Sequence, residues 1–161
     1  MPLIQATLAA GLANMTPTDQ ESVAVEKLAS AYVDFMSTAQ AGPVPIVPLS
    51  LQSLPKAAFI AAATGLSNSG QGAQKIADAV NAFWAAMVPL ASTLFPTATV
   101  LTPPPSISTL SALLPPIFLA NTQGNLDLTA AANTIAAAIY GVSQGGQAII
   151  ALPPPTAFPI V

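Results

Sequence analysis

The sequence predicts a mainly α-helical fold: a small bundle of short helices with long Pro-rich extended connections and an extended C-terminal arm, with scope for one or two short strands in those arms. Three observations predict it. Apolar residues recur at helical spacing in several separate stretches. Most of the 17 prolines lie between and after those stretches. Finally, 53% of the residues are apolar and only 6% charged, so the chain has the material for a core and lacks the high charge that keeps chains disordered. A length of 161 residues suits one domain, read as a helical domain over 1–147 with an arm over 148–161.

Each element has its own warrant. Ile4, Leu8, Leu12 and Met15 share a helical face, so residues 3–13 read as a short helix that Gly11 weakens near its end. The strongest helix signal starts at Thr16-Pro17-Thr18-Asp19, where Thr16 can cap, Pro17 can take the first helical position and Asp19 and Glu21 sit near the positive end of the dipole. Over residues 17–40, Val25, Leu28, Ala29, Tyr32, Phe35 and Met36 fall on one face, with Asp19, Glu26, Lys27 and Asp34 opposite. Five of the chain's nine charges lie there, which marks this helix as the most solvent-facing element.

Pro43, Pro45 and Pro48 then impose an extended segment. A helix over 52–66 runs into the polar loop Ser67–Gly72. The next helix, 73–88, carries Ile76, Val80, Phe83, Trp84 and Met87 on one stripe and should end or kink at Pro89. Residues 96–105 are extended, with a brief strand at 97–101. Ser106 or Ser108 can open a short helix through Leu110 and Leu114, and Pro115-Pro116 can restart a turn through Ile117 and Phe118. Asp127 is the expected N-cap of a last helix using Leu128, Ala132, Ile135 and Ile139 and ending at Gly141. The tail from Ala148 is apolar and proline-stiffened; dangling in water it would cost free energy, so it should dock on its own domain or on a neighbour.

Charge decides which functions remain. After Asp78 the only formal side-chain charge is Asp127, although 83 residues follow. A free small domain usually carries about 25–35% charged residues on its surface, so much of this surface should be covered by other protein or by lipid. Three lysines without arginine or histidine make no basic stripe, and nucleic acid is not an expected partner. No run of about 18 uninterrupted apolar residues exists; the longest candidate, 129–152, is broken by Asn133 and by Ser143–Gln147. The N-terminus has no Lys or Arg before its apolar residues, which argues against a secretory signal.

Chemistry is hard to build from these side chains. Lacking His and Cys, the chain has no imidazole-activated nucleophile, no thiolate and no base that titrates near neutrality unaided. Asp34, Asp78 and Asp127 could converge as a carboxylate pair, but their spacing does not demand it. Ser53 with Lys56, or Ser67 and Ser69 with Lys75, could form a Ser-Lys pair; solubilising lysines explain them more simply. The run Ser69–Lys75 lacks the Gly-Lys-Ser/Thr ending that holds phosphate and magnesium. Gly141 and Gly145 make a GxxxG spacing outside any membrane span. The expectation is therefore no catalytic residue, no cofactor and no metal, hence not an enzyme.

The opening Leu3–Ala10, the Phe83-Trp84-Ala85-Ala86-Met87 stretch, the Leu101–Pro105 segment and Phe118–Thr122 together resemble small Ala-rich virion structural proteins of tailed bacteriophages. That resemblance implies a particle component in tail, baseplate, neck or capsid, located in the virion and partnered by other virion structural proteins and by copies of itself. Composition agrees: proline-stiffened strips near 42–50, 96–105 and 148–161 could lie in grooves of neighbouring subunits. Phe83, Trp84, Met87, Phe158, Ile160 and Val161 are the expected interface anchors. The alternative is a membrane-active or secreted amphipathic protein, against which stands the scarcity of Lys and Arg near the apolar segments.

Overall fold

The structure, a computed structural model, describes residues 3–15, 19–41, 44–45, 52–67, 70–90, 99–116, 128–150 and 156–161. It is mainly helical, with α1 (Gln5–Ala13), α2 (Glu21–Ser37), α3 (Ser53–Ala63), α4 (Gly72–Met87), the single turn α5 (Leu110–Leu113) and α6 (Leu128–Ser143). Five short strands accompany them: β1 (Gln40–Ala41), β2 (Val44–Pro45), β3 (Thr99–Thr102), β4 (Gln147–Ile150) and β5 (Thr156–Pro159). The arms thus contribute more strand than the sequence led us to expect, because they pair with one another. β4 lies between β3 and β5, antiparallel to both, with Thr99 opposite Ile150 and Gln147 opposite Pro159. Pro159 has no amide hydrogen to donate, and β5 is at the sheet's edge, where that deficiency is tolerated.

The tail therefore docks on its own domain. Beyond β5 the Ile160 amide donates to the Gly146 carbonyl at 3.0 Å, and Val161 exchanges both backbone hydrogen bonds with Gln40 at 3.0 and 3.3 Å. Within the 96–105 and 148–161 strips, residues 99–102, 148–150 and 156–161 pair within the chain. The strip over 46–50, Thr16-Pro17-Thr18, Phe118–Asp127 and Pro153-Pro154-Pro155 lie outside the described residues.

α2 is the hub of the bundle, which corrects its reading as the most solvent-facing element. All six residues of its expected apolar face are buried, and Ala31 and Val33 are buried beside them. Only a stripe through Glu26, Asp34 and Ser37 remains fully open to solvent along its middle and end. Such breadth follows from its neighbours. Tyr32 stacks on Phe59 of α3 (centroids 5.2 Å apart) and meets Phe83 of α4 edge-on at 4.9 Å, while Phe35 approaches Tyr140 of α6 at 6.4 Å. Aromatic pairs in these arrangements each add about 0.5–1.5 kcal/mol beyond the area they bury. The helix begins at Glu21, after an extended Gln20, and Asp19 is used in an ion pair with Lys27 instead of in a first turn.

Around this hub α3 and α4 form an antiparallel hairpin, while α1 packs on both α2 and α6. The hairpin turn is a type II turn: Thr64 has φ −57° and ψ 131°, Gly65 has φ 89°, and the Leu66 amide donates to the Ala63 carbonyl at 3.0 Å. That positive φ is why glycine follows Thr64. α4 ends at Met87 and tightens into a 3-10 turn over Val88–Leu90, as Pro89 requires. α1 runs through Gly11 to Ala13, and a β-carbon on Gly11 would lie 2.4 Å from the Ala31 Cβ. Gly11 is there for the closeness of α1 to α2, not as a weak end. α6 continues past Gly141 to Ser143, since Gly141 keeps a negative φ.

Candidate functional site

The interface anchors expected from the sequence mostly lie in the core. Phe83, Trp84 and Ile160 are 0% exposed and Met87 is 1% exposed, so folded this way they have no surface to offer a neighbouring subunit. The reason is local. Trp84 closes on the second half of the chain, where a β-carbon on Gly146 would lie 3.1 Å from its Cη2 atom and 3.0 Å from the Ile160 Cδ1 atom. Val161 is exposed. The Phe158 side chain lies outside the description, although its backbone pairs with Ala148.

Within that core sits the one polar cluster the described residues bury. The Trp84 Nε1–H donates to the Tyr32 hydroxyl at 3.1 Å. Ser143, fully buried, lies near enough to the phenol to favour its ionised form, yet its Oγ has no partner of hydrogen-bond geometry. Burial is the larger influence and raises the Tyr32 hydroxyl well above the usual phenol range. A phenol held neutral, on an indole that cannot accept a proton, is a device for orienting the core rather than a base.

The candidate reactive pairs are dispersed. Lys56 bonds Glu26 at 2.5 Å. Ser67 Oγ and the Gly65 amide both donate to the Glu21 carboxylate, and these bonds, with Lys75 adding its charge, hold that carboxyl below its usual range. Asp78 lines a groove that Asp34 does not; Asp127 and Ser69 lie outside the described residues. No three acidic side chains among the described residues come close enough to hold a metal ion, and no described helix is long and apolar enough to cross a membrane.

Three surface features remain. The first is a groove of about 260 Å³ between α4 and the segment 107–111, rimmed by Gln74, Asp78, Asn81, Ser108 and Ser111 over a floor of Ala77 and Ile107. The α4 repeat explains it: positions 74, 78 and 81 are the helix's outward stripe, polar in every case. The second is a cleft of about 120 Å³ lined by apolar side chains, among them Leu12, Met15, Leu66, Ile76 and Ile135, where α1, α2, α4 and α6 meet. The third is the outward face of α6, where Thr129, Ala130, Asn133, Thr134, Ala137 and Gly141 are exposed and none is charged or longer than Asn.

Sequence reasoning found the charge-poor second half but not the groove, because Ser108 and Ser111 reach α4 only through the fold. The polar spacing of 74, 78 and 81 was the available signal. No known protein family matches this chain, and no curated protein or solved structure matches it either.

Proposed function

We propose that this chain is a non-enzymatic structural and assembly protein of a virus particle, in tail, baseplate, neck or capsid, associating with copies of itself and with other particle proteins. The observation that carries the reading is the outward face of α6. Six exposed positions over three turns present no charge and only small side chains, so another backbone can approach closely and little hydration has to be given up. Because the tail is already paired with its own domain, the association runs through preformed surfaces instead of exchanged arms. The particle assignment rests on the resemblance of Leu3–Ala10, Phe83–Met87, Leu101–Pro105 and Phe118–Thr122 to small Ala-rich virion structural proteins of tailed bacteriophages.

Light scattering on the purified chain tests the association. Mass should rise with concentration, and the double substitution Thr134→Lys with Ala137→Lys should hold the protein monomeric while leaving its helicity unchanged. A wild-type chain that stays monomeric at high concentration would overturn self-association. Mass spectrometry of purified virions tests the location, and a chain abundant in infected cells yet absent from particles would overturn it. Flotation with anionic liposomes addresses the membrane alternative, for which co-migration with the vesicles is the outcome that would displace our reading.

A further inference from the structure

We propose that Glu21 is an acid-labile clasp: while ionised it holds the turn between α3 and α4 against the apolar cleft, and on protonation it lets that turn go, so that the cleft opens. The device stands on the geometry of the turn and is independent of any particle or partner.

Glu21 begins α2, and one of its carboxylate oxygens accepts the Gly65 amide hydrogen at 2.5 Å while the other accepts from Ser67 Oγ. The two bonds grip the turn on either side of Leu66, whose side chain lines the cleft beside Leu12, Met15, Ile76 and Ile135. The other hydrogen bonds of this turn stay at the end of α3. Thr64 Oγ1 donates to the Ile60 carbonyl at 3.2 Å, and the Leu66 amide donates to the Ala63 carbonyl at 3.0 Å. Among the described residues, therefore, the hydrogen bonds that tie residues 64–67 to a different helix both end on Glu21. The apolar hold is slight, since Thr64 and Ser67 are exposed and Leu66 is only half-buried.

Hydrogen bonds to an ionised acceptor are roughly twice as strong as neutral ones. Protonation removes that charge and turns one of the two acceptor oxygens into a donor. A segment held by so few bonds opens locally before the helices do. The cleft then loses its Leu66 wall, and the apolar side chains behind it meet water.

The charges around the clasp leave Glu21 as the group that changes. Lys75 of α4 faces it and stays protonated in acid. α1 and α6 carry no charged residue. Lys56 of α3 is paired with Glu26, Lys27 with Asp19, and Asp78 of α4 accepts from Gln74. The Ser67 and Gly65 bonds, then the Lys75 charge, hold the Glu21 carboxyl below its usual range. The clasp is thus closed at neutral pH and in mild acid, and it opens as pH falls through a value below the ordinary glutamate figure of about 4.3.

The test is an NMR pH titration of the full chain, carbon-labelled at the Leu and Ile methyl groups and at the Glu side-chain carboxyl. The methyl signals of Leu66, Ile76 and Ile135 should move with the same midpoint as the Glu21 carboxyl, while those of Leu110 and Ile160 in the core stay in place. Emission of the neutral dye Nile red should rise along the same curve with helicity unchanged. In Glu21→Gln the step should vanish, and in Glu21→Ala the cleft methyls should already show their acid positions at neutral pH. Cleft methyls that stay still while Glu21 titrates, or that move only together with Ile160, would overturn the proposal. So would flat dye emission, a step retained in Glu21→Gln, or wild-type methyl positions in Glu21→Ala at neutral pH.

Discussion

α2 and α6 are helices of nearly the same length, 17 and 16 residues, in one core, yet they are built on opposite plans. α2 buries bulky side chains, Tyr32, Phe35 and Met36 among them, and carries ionised groups along its open stripe. α6 buries Ala132, Ala136, Ile139 and Val142 and leaves small neutral side chains outside. The first plan spends large side chains on holding the domain together and charge on meeting water. The second brings a helix close on its inner side and leaves an outer side with little affinity for water. The two helices thus serve one core by different means, bulk in α2 and close approach in α6.

The largest test of that contrast is Trp84→Ala. Trp84 bonds Tyr32 of α2 and walls the Gly146 turn that follows α6, so removing it should cost about 3–5 kcal/mol in chemical denaturation, the range for a buried aromatic. A cost below about 1 kcal/mol would mean that the two halves do not share a core. A sharper comparison uses two glycines. Gly11→Ala, whose new methyl would meet Ala31 at 2.4 Å, should cost about 1–3 kcal/mol. Gly141→Ala, with nothing within 4 Å of the added carbon, should instead stabilise by roughly 0.5–1 kcal/mol. If both shift the melting temperature in the same direction, the close packing of α1 on α2 is wrong.

Tyr32→Phe keeps the ring but leaves the buried Trp84 Nε1–H without an acceptor, an omission that costs about 1–3 kcal/mol. Glu26→Gln breaks the half-exposed pair with Lys56, for which about 0–1 kcal/mol is the expected loss. The smallest effect concerns pH. The folded Glu21 carboxyl is depressed, so its contribution to stability is complete above the ordinary carboxylate range and fades as pH falls through the folded value. Glu21→Gln should therefore flatten the acid limb of the stability curve and leave neutral pH nearly untouched; a variant with an unaltered acid limb would show that the Gly65 and Ser67 bonds do not bias the carboxyl.

What was legible in the sequence follows the strength of local signals. The apolar stripes of α2 and α4 are wide and bulky, and their buried residues were found from spacing alone, with α4 displaced by a single residue from the expected 73–88. Strand β3 falls within two residues of the expected 97–101, because β-branched residues between prolines leave few other conformations. The misses are non-local. Gly11 and Gly141 look alike in sequence, and only the approach of Ala31 to one of them tells them apart. Trp84 and Ile160 read as anchors for a neighbour, since nothing local says that the tail returns to the same domain. The groove needed two segments some thirty residues apart, Gln74–Asn81 and Ile107–Ser111, to be seen side by side.

Ile160 fills the space beside Gly146 and is sealed from solvent. A chain lacking the Ile160 side chain would keep the sequence of every described helix yet leave an open wall beside Trp84. Closure of that wall depends on a residue 17 positions beyond the end of α6, so the cohesion of this core is a matter of long-range contact and not of helix formation alone.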